Sequence, residues 1–276
     1  MAKKASYKYY LERLEYRMFV LIKYLVQLLS GKSKNKSVVF VAGVQRSGTN
    51  MMMDVVERSF ETDVYHERDS RAFDNYQMKP VEDIRRLYRG SRAPFFVIKT
   101  LCELQDLTKL MQEFAPAKAV WVLRDYNDVV NSMLVSFDHQ AEQVRRIAKY
   151  RVSDGWLSRG MSDDTYDKVK SLVTENIDDT SAAALSWYFR NILFFEQGFD
   201  KDNRVLLVKY EDLVTDAETH FSQLFSFLGL KYSKRISSKV FSSSIRRREA
   251  PVINPEIARL CDSLSARFDQ AIKEQA

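Results

Sequence analysis

The 276 residues, with 45% hydrophobic and 12% aromatic content, can bury a substantial core, which argues against a disordered chain. Only two cysteines occur, without a CxxC pair or a Cys/His cluster, so a disulfide framework and a structural zinc site are disfavoured and a reducing, cytoplasmic compartment is favoured. The net charge of +6 favours an anionic partner but does not choose among nucleotide, sulfated glycan, membrane surface and nucleic acid.

Residues 1–37 are predicted to form an N-terminal helix and a basic linker, and residues 38–276 the main domain. The apolar residues that recur at helical spacing are Leu11, Leu14, Met18, Phe19, Leu21, Ile22, Leu25, Val26 and Leu29. Packing of this stripe against the main domain is the expected arrangement. Peripheral membrane contact through residues 7–36 is the alternative, because Arg17 and Lys23 interrupt a stretch shorter than the roughly 20 apolar residues of a membrane span.

A strand, a glycine-containing loop and a helix follow in residues 38–60. The loop has two glycines at the spacing of the phosphate-binding motif GxxxxGK(S/T), but Thr49 stands in the place of its lysine. Backbone N–H groups at the start of a helix attract anions, and Arg46 adds a cation. The loop is therefore a predicted phosphate site, and the ATPase interpretation is weakened.

Three more apolar strands are predicted at residues 94–99, 119–123 and 204–208, each joined to helical patterns. Alternating strands and helices indicate an α/β fold, with a central parallel sheet covered by helices on both faces. Ligands of such sheets bind at the carboxyl ends of the strands. This rule places the glycine loop, Lys99 and Arg124 on one rim.

A second motif, AVWVLRDYNDVVNSML, occupies residues 119–134. Arg124 leaves the strand, and Asp125, Asp128 and Ser132 follow at spacing that keeps them on one helical face. Arginine can grip a phosphate with two parallel donors, and a serine hydroxyl can add another. Pairing of the arginine with its neighbouring aspartates is the purely structural alternative.

Together these motifs resemble the sulfotransferases that use 3'-phosphoadenosine 5'-phosphosulfate (PAPS). VQRSGTN resembles their 5'-phosphosulfate loop, RDYNDVVNS resembles their 3'-phosphate segment, and residues 205–230, with the sequence YEDL, resemble their late strand and helix. The resemblance covers about half of the chain and implies a P-loop fold related to nucleotide kinases. The cofactor-binding residues that it implies are Gln45, Arg46, Ser47, Gly48, Thr49, Asn50, Arg124 and Ser132.

The family also has a basic loop near the C-terminus that closes over the 3'-phosphate. Here the candidates are Arg246, Arg247 and Arg248, without the glycines usual in the family, so the resemblance does not choose among them and a solvated charge run is the alternative. Residues 138–180 match the family least and are predicted to form a lid or an acceptor-side cap.

Sulfuryl transfer chiefly requires positioning of the reactants and neutralisation of the leaving phosphate, which assigns Arg46 and Lys99 to catalysis. No metal site is expected. The histidine that phenol-type members carry after Lys-Thr is replaced by Leu101. By resemblance to the carbohydrate-type and bacterial members, Glu67 is the first candidate base, followed by His66 and then Glu103.

These observations predict transfer from PAPS to a hydroxyl or amine of a glycan, a glycolipid or another small alcohol, with no nucleic-acid partner. The sequence does not determine the oligomeric state. Two alternatives remain: a magnesium-nucleotide kinase on the related fold, and a non-enzymatic basic module that binds membranes or anions.

Overall fold

The computed structural model describes residues 2–33, 35–151, 155–242, 245 and 248–275, with the backbone alone for residues 2–13. The strands are β1 (Ser37–Ala42), β2 (Thr62–Tyr65), β3 (Phe73–Asp74), β4 (Gln77–Met78), β5 (Phe95–Thr100), β6 (Ala117–Leu123) and β7 (Val205–Lys209). The helices are α1 (Ala2–Leu29), α2 (Thr49–Glu57), α3 (Val81–Gly90), α4 (Leu107–Glu113), α5 (Tyr126–Ser136), α6 (Gln140–Lys149), α7 (Asp163–Leu172), α8 (Asp179–Asn191), α9 (Leu193–Glu196), α10 (Tyr210–Thr215), α11 (Ala217–Leu228), α12 (Lys234–Ser237) and α13 (Pro255–Gln275). Short 3-10 helices cover Leu104–Asp106 and Phe199–Lys201.

Five parallel strands form the central sheet in the order β2-β5-β1-β6-β7, and β3 with β4 forms a separate antiparallel pair. In the centre, Val41 of β1 is in register with Lys99 of β5 and Val120 of β6. The carboxyl ends of these strands therefore lie side by side.

The sheet has an apolar layer on each face, because side chains alternate along each strand. Phe40 and Trp121 point into the larger layer, which also contains residues of α3 to α9 and α13. Val39 and Val41 point into the other, beneath α2 and α10 to α12. Burial of both faces explains the near-continuous apolar runs in the strand sequences.

The predicted α/β class is confirmed: a parallel sheet surrounded by helices. The four predicted strands occur within one or two residues of the expected positions. Sequence reasoning missed the edge strand β2, because its four residues mix polar and apolar side chains. The pattern of residues 181–195 predicts a single covering helix, but the structure divides it between α8 and α9 at Ile192.

The expected packing of α1 is wrong in one respect. The helix contacts the main domain through Tyr16, Phe19, Lys23 and Gln27, of which only Phe19 belongs to the predicted apolar stripe. Lys23 is buried and donates to the Glu57 carbonyl at 2.6 Å and to Thr62 Oγ1 at 3.0 Å. Leu14, Leu21, Leu25 and Leu29 of the stripe remain exposed, because hydrogen-bonding side chains occupy the contact face.

Among the described helices, none has both the length and the apolar character that crossing a bilayer requires.

Candidate active site

Candidate functional side chains lie at or just after the carboxyl end of each strand of the central sheet, along one rim. Glu67 follows β2, Lys99 lies near the end of β5, the loop of residues 43–49 follows β1, Arg124 follows β6, and Tyr210 follows β7. Because all five strands are parallel, their carboxyl ends meet at this rim in the order of the sheet. The loop therefore has Lys99 on one side and Arg124 on the other.

The loop between β1 and α2 turns tightly upon itself. The Val44 carbonyl accepts hydrogen bonds from the Ser47 N–H at 3.2 Å and from Ser47 Oγ at 2.8 Å. Arg46 has a φ of 67°, in the left-handed region, and its side chain projects from the turn. A Cβ atom on Gly43 would lie 2.6 Å from the Val122 carbonyl, which explains the need for glycine beside β6.

The start of α2 is arranged to receive an anion. Its N-cap is Gly48, which provides no side-chain hydrogen bond to the first-turn amides. Thr49 is buried, Asn50 is exposed and Gln45 is half-buried. The first-turn amides and the positive end of the helix dipole are consequently available to a phosphate group.

The two predicted phosphate motifs contact each other directly. Arg46 Nε donates to Ser132 Oγ at 2.8 Å, and Arg124 Nη1 donates to the Arg46 carbonyl at 3.1 Å. Trp187 Nε1 donates to the Arg124 carbonyl at 3.2 Å and so holds the backbone where β6 ends. Three cationic or hydroxyl side chains from distant segments thus form one polar patch.

The acidic residues of the second motif orient the arginine and the helix. Asp125 accepts hydrogen bonds from the N–H groups of Asn127 at 2.9 Å and Asp128 at 3.2 Å, and so caps α5. Asp128 pairs with Arg124 at 3.7 Å. Glu211 accepts from the Asp125 N–H at 3.0 Å, and burial raises the pKa of Glu211. The predicted arginine–aspartate pairing is present alongside the contact with Arg46.

Tyr210 is a positioning residue to which sequence reasoning assigned no role. The Arg124 guanidinium carbon lies 4.7 Å from the centre of the Tyr210 ring, within cation–π range. The Tyr210 ring also packs against Gly48, where a Cβ atom would lie 2.2 Å from the ring. The only signal in the sequence was the YEDL segment, which marked its position but not its contacts.

Lys99 and Glu67 form an ion pair on the opposite side of the loop. Lys99 is only 2% exposed and also donates to Asn50 Oδ1 at 2.6 Å. Burial lowers the pKa of Lys99, and the Glu67 carboxylate only partly offsets that effect. Surface pairing of Glu67 with Arg68 or Arg71 is the structural alternative to its role as a base, but in the structure Glu67 pairs with Lys99 and Arg71 pairs with Asp69.

His66, the second candidate base, pairs with Glu57. His66 Nε2 lies 3.3 Å from Glu57 Oε2, and the Tyr16 hydroxyl donates to the same oxygen at 2.9 Å. Burial alone would lower the pKa of His66, but the hydrogen bond and charge of Glu57 outweigh it and raise the pKa. Burial favours protonation of Glu57, yet His66 and Tyr16 lower its pKa overall.

The same corner contains a possible metal-ligand geometry that the sequence did not indicate. Ligand atoms of Asp54, Glu57 and His66 lie within 4.8 Å of one another. The Glu57 carboxylate is already engaged by Tyr16 and His66. Hydrogen bonding thus accounts for the closeness of Glu57 and His66, and the Asp54 carboxylate lies beside this pair.

Glu103, the third candidate base, holds the small hairpin of β3 and β4. Its Oε1 accepts from the Met78 N–H at 2.7 Å. Burial raises the pKa of Glu103, although the backbone hydrogen bond opposes this effect. The contact ties Glu103 to this hairpin through Oε1.

The predicted C-terminal arginines are described only in part. Arg246 and Arg247 lie outside the described residues, and Arg248 is exposed. Asn131 Nδ2 donates to the Glu249 carbonyl at 3.0 Å, which holds this segment against α5 next to Ser132.

Buried Arg190 joins the predicted lid to the core. It donates to the carbonyls of Leu101, Trp156 and Arg159 at 3.2–3.3 Å. Burial lowers its pKa to about 10. The described part of the 138–180 segment is therefore tied to the end of β5.

Comparison with known proteins places this site in context. The family model of the sulfotransferase domain matches residues 36–247. No curated protein sequence matches the chain. The solved sulfotransferase domain from the curacin biosynthetic pathway is similar in structure, with a TM-score of 0.53 at 13% identity over 84% of this chain and 99% of that domain.

Two other solved sulfotransferases are similar at lower TM-scores. A mouse enzyme complexed with PAP has a TM-score of 0.47 at 15% identity, over 90% of this chain and 91% of its own. One from Mycobacterium avium has a TM-score of 0.45 at 10% identity, over 92% of this chain and 80% of its own.

Proposed function

Because the chain belongs to the sulfotransferase domain family, we propose that it transfers a sulfuryl group from PAPS to an acceptor hydroxyl or amine. The acceptor class is a carbohydrate, a glycolipid or another small alcohol. The contact of Arg46 with Ser132 is the main support for this proposal. It brings the glycine loop and the segment after β6, both of which are suited to bind anions, into one site. A nucleotide with phosphate groups at both its 3' and 5' positions requires such a pair of sites.

The residues present fit this cofactor. The uncapped start of α2, with buried Ser47 and Thr49, suits the 5' group. Arg124 and Ser132 suit the 3'-phosphate, with Arg248 and the neighbouring arginines as further candidates. When bound, PAPS supplies the sulfuryl group, and its phosphate is the leaving group.

Arg46 and Lys99 would serve the transfer itself. Arg46 lies in the loop that would meet the leaving phosphate, where negative charge grows as the sulfur–oxygen bond breaks. Lys99 is held at the same rim by Asn50 and Glu67. A buried cation there would favour the negatively charged transition state.

Glu67 would act as the base. It is next to Lys99, and its side chain is 18% exposed, which leaves the carboxylate within reach of an acceptor. It would take the proton of the acceptor hydroxyl as the oxygen bonds to sulfur. His66 is less suited to this role, because its ring is engaged by Glu57 and its raised pKa favours the protonated form.

Calorimetric titration with 3'-phosphoadenosine 5'-phosphate (PAP) in the presence of a chelator tests the proposal. PAP should bind more tightly than magnesium ATP does in a parallel titration with magnesium. Ser132→Ala should weaken PAP binding about tenfold, the worth of one hydrogen bond to a charged group. Ser136→Ala, an exposed position on the same helix, is the matched control.

Tighter binding of magnesium ATP would support the kinase alternative instead. Binding of neither nucleotide would support the non-enzymatic alternative.

A further inference from the structure

Helix α1 presents a polar face to the protein and an apolar face to solvent. The inward face contains Tyr16, Phe19, Lys23 and Gln27, and three of these four side chains donate hydrogen bonds to the main domain. Gln27 Nε2 donates to the carbonyls of Phe60 and Thr62, both at 2.9 Å. A helix that only completed a core would be oriented the other way round.

The outward face is an uninterrupted apolar surface over four turns. At 100° per residue, its members share one side of the helix, opposite Lys23. They are Leu14, Met18, Leu21, Ile22, Leu25, Leu28 and Leu29, and they are between 39% and 86% exposed. From residue 14 to residue 29 this face is about 23 Å long. A surface of that size in water calls for an apolar partner.

The basic charge of the chain is concentrated in the same segment. Residues 1–36 contain nine lysines and arginines and two glutamates, a net charge of +7, whereas the whole chain carries +6. The remaining 240 residues therefore carry −1. The high pI thus comes from α1 and its linker, not from the nucleotide site.

We propose that α1 binds the surface of an anionic lipid bilayer, with its outward face in the interface and the exposed Arg17 and Lys32 near the headgroups. Apolar burial and attraction to anionic lipid together give such helices their affinity. The helix is too polar to cross the bilayer, which agrees with the absence of a spanning helix among the described residues.

A second copy of α1 is a poorer partner for this surface. The net charge of +7 on residues 1–36, which comprise α1 and its linker, would repel an identical segment. The apolar sector is also wide, whereas paired helices meet along a narrow seam. Nucleic acid would engage the cations but leave the leucines in water. This binding does not depend on the proposed sulfuryl transfer.

Cosedimentation of the full chain with vesicles tests the proposal. The chain should bind vesicles of phosphatidylcholine and phosphatidylglycerol in equal parts, bind pure phosphatidylcholine weakly, and dissociate as salt is raised. The variant Leu21→Gln with Leu25→Gln should lose at least about tenfold in affinity. Val135→Gln with Val252→Gln, also at exposed apolar positions, is the matched control and should bind like the wild type.

The contribution of the basic residues to vesicle binding is tested by replacing Arg17 and Lys32, which are both exposed, with Gln. Each lost charge should weaken binding to the anionic vesicles about fivefold. A Leu25→Trp variant offers an independent measurement, because its added fluorescence should be quenched by lipid with brominated acyl chains. Thermal unfolding of each variant verifies that it is folded.

Three results would overturn the proposal. The first is equal binding of anionic vesicles by the wild type and the double leucine variant. The second is a dimer, seen by light scattering, that the leucine substitutions dissolve while vesicles are not bound. The third is binding to a DNA oligonucleotide without binding to vesicles.

Discussion

A Cβ atom on Gly48 would lie 2.2 Å from Cδ2 of Tyr210, so the start of α2 and the residue after β7 pack without space between them. Gly48 also has a φ of 98°, which L-residues rarely adopt. The same tyrosine ring lies against Arg124. One glycine therefore determines how closely the glycine loop and the Arg124 segment approach each other.

Gly48→Ala should lower both the stability and the affinity for PAP. The left-handed backbone alone costs about 1–2 kcal/mol for a residue with a Cβ atom. Displacement of the Tyr210 ring should add about 1–3 kcal/mol to the lost unfolding free energy, measured by urea denaturation. Gly198→Ala is the control, because Gly198 has a φ of 72° and nothing within 4 Å of a Cβ atom. Equal losses in the two variants would contradict the packing argument.

Substitution of Ser132 should chiefly affect cofactor binding, whereas substitution of Arg46 should affect turnover. Ser132→Ala should raise the KM for PAPS and leave kcat nearly unchanged, because contacts to the 3'-phosphate are alike in the ground and transition states. Arg46→Ala should lower kcat even at saturating PAPS, by about 100-fold. Steady-state kinetics with varied PAPS measure both effects. Full recovery of Arg46→Ala turnover at high PAPS would show that its role is binding alone.

Glu67→Gln tests the assignment of the base. Turnover should fall by about 100-fold or more, while PAP affinity and thermal stability stay close to those of the wild type. Glu256→Gln, an exposed carboxylate on α13, is the control. Near-normal turnover in Glu67→Gln, together with its loss in His66→Ala, would transfer the role of base to His66.

The pairing of His66 with Glu57 predicts a stability contribution confined to a pH window. The raised pKa of His66 means that its contribution is complete below the ordinary value of about 6.5 and is lost as pH rises through the folded-state pKa. The lowered pKa of Glu57 means that its contribution is complete above about 4.5 and is lost as pH falls through its folded-state value. The pair should therefore stabilise the protein most between these two limits.

Thermal unfolding across this range measures the effect. The difference in Tm between the wild type and His66→Asn should be largest in mildly acidic solution and should shrink at alkaline pH. His139→Asn is the control, because the side chain of His139 is 79% exposed. A difference that did not vary with pH would contradict the pairing.

The local sequence pattern was sufficient to predict those parts of the site whose residues lie close together in the chain. The apolar strand, the two glycines and Arg46 predicted the loop, because backbone conformation and helix polarity act over a few residues. Arg124 and Ser132 are both on the segment that follows β6, so their proximity also followed from helical spacing. The strand-end rule then placed both segments on one rim.

The partners of these side chains required the tertiary structure. The contacts of Arg46 with Ser132, Lys99 with Glu67, and Tyr210 with Gly48 each join residues far apart in the chain. The order β2-β5-β1-β6-β7 decides which strand ends are neighbours, and sequence order does not reveal it. The orientation of α1 could not be predicted from the sequence either. A periodic pattern shows that a helix has an apolar face, but only the surface it packs against decides whether that face is turned inward or outward.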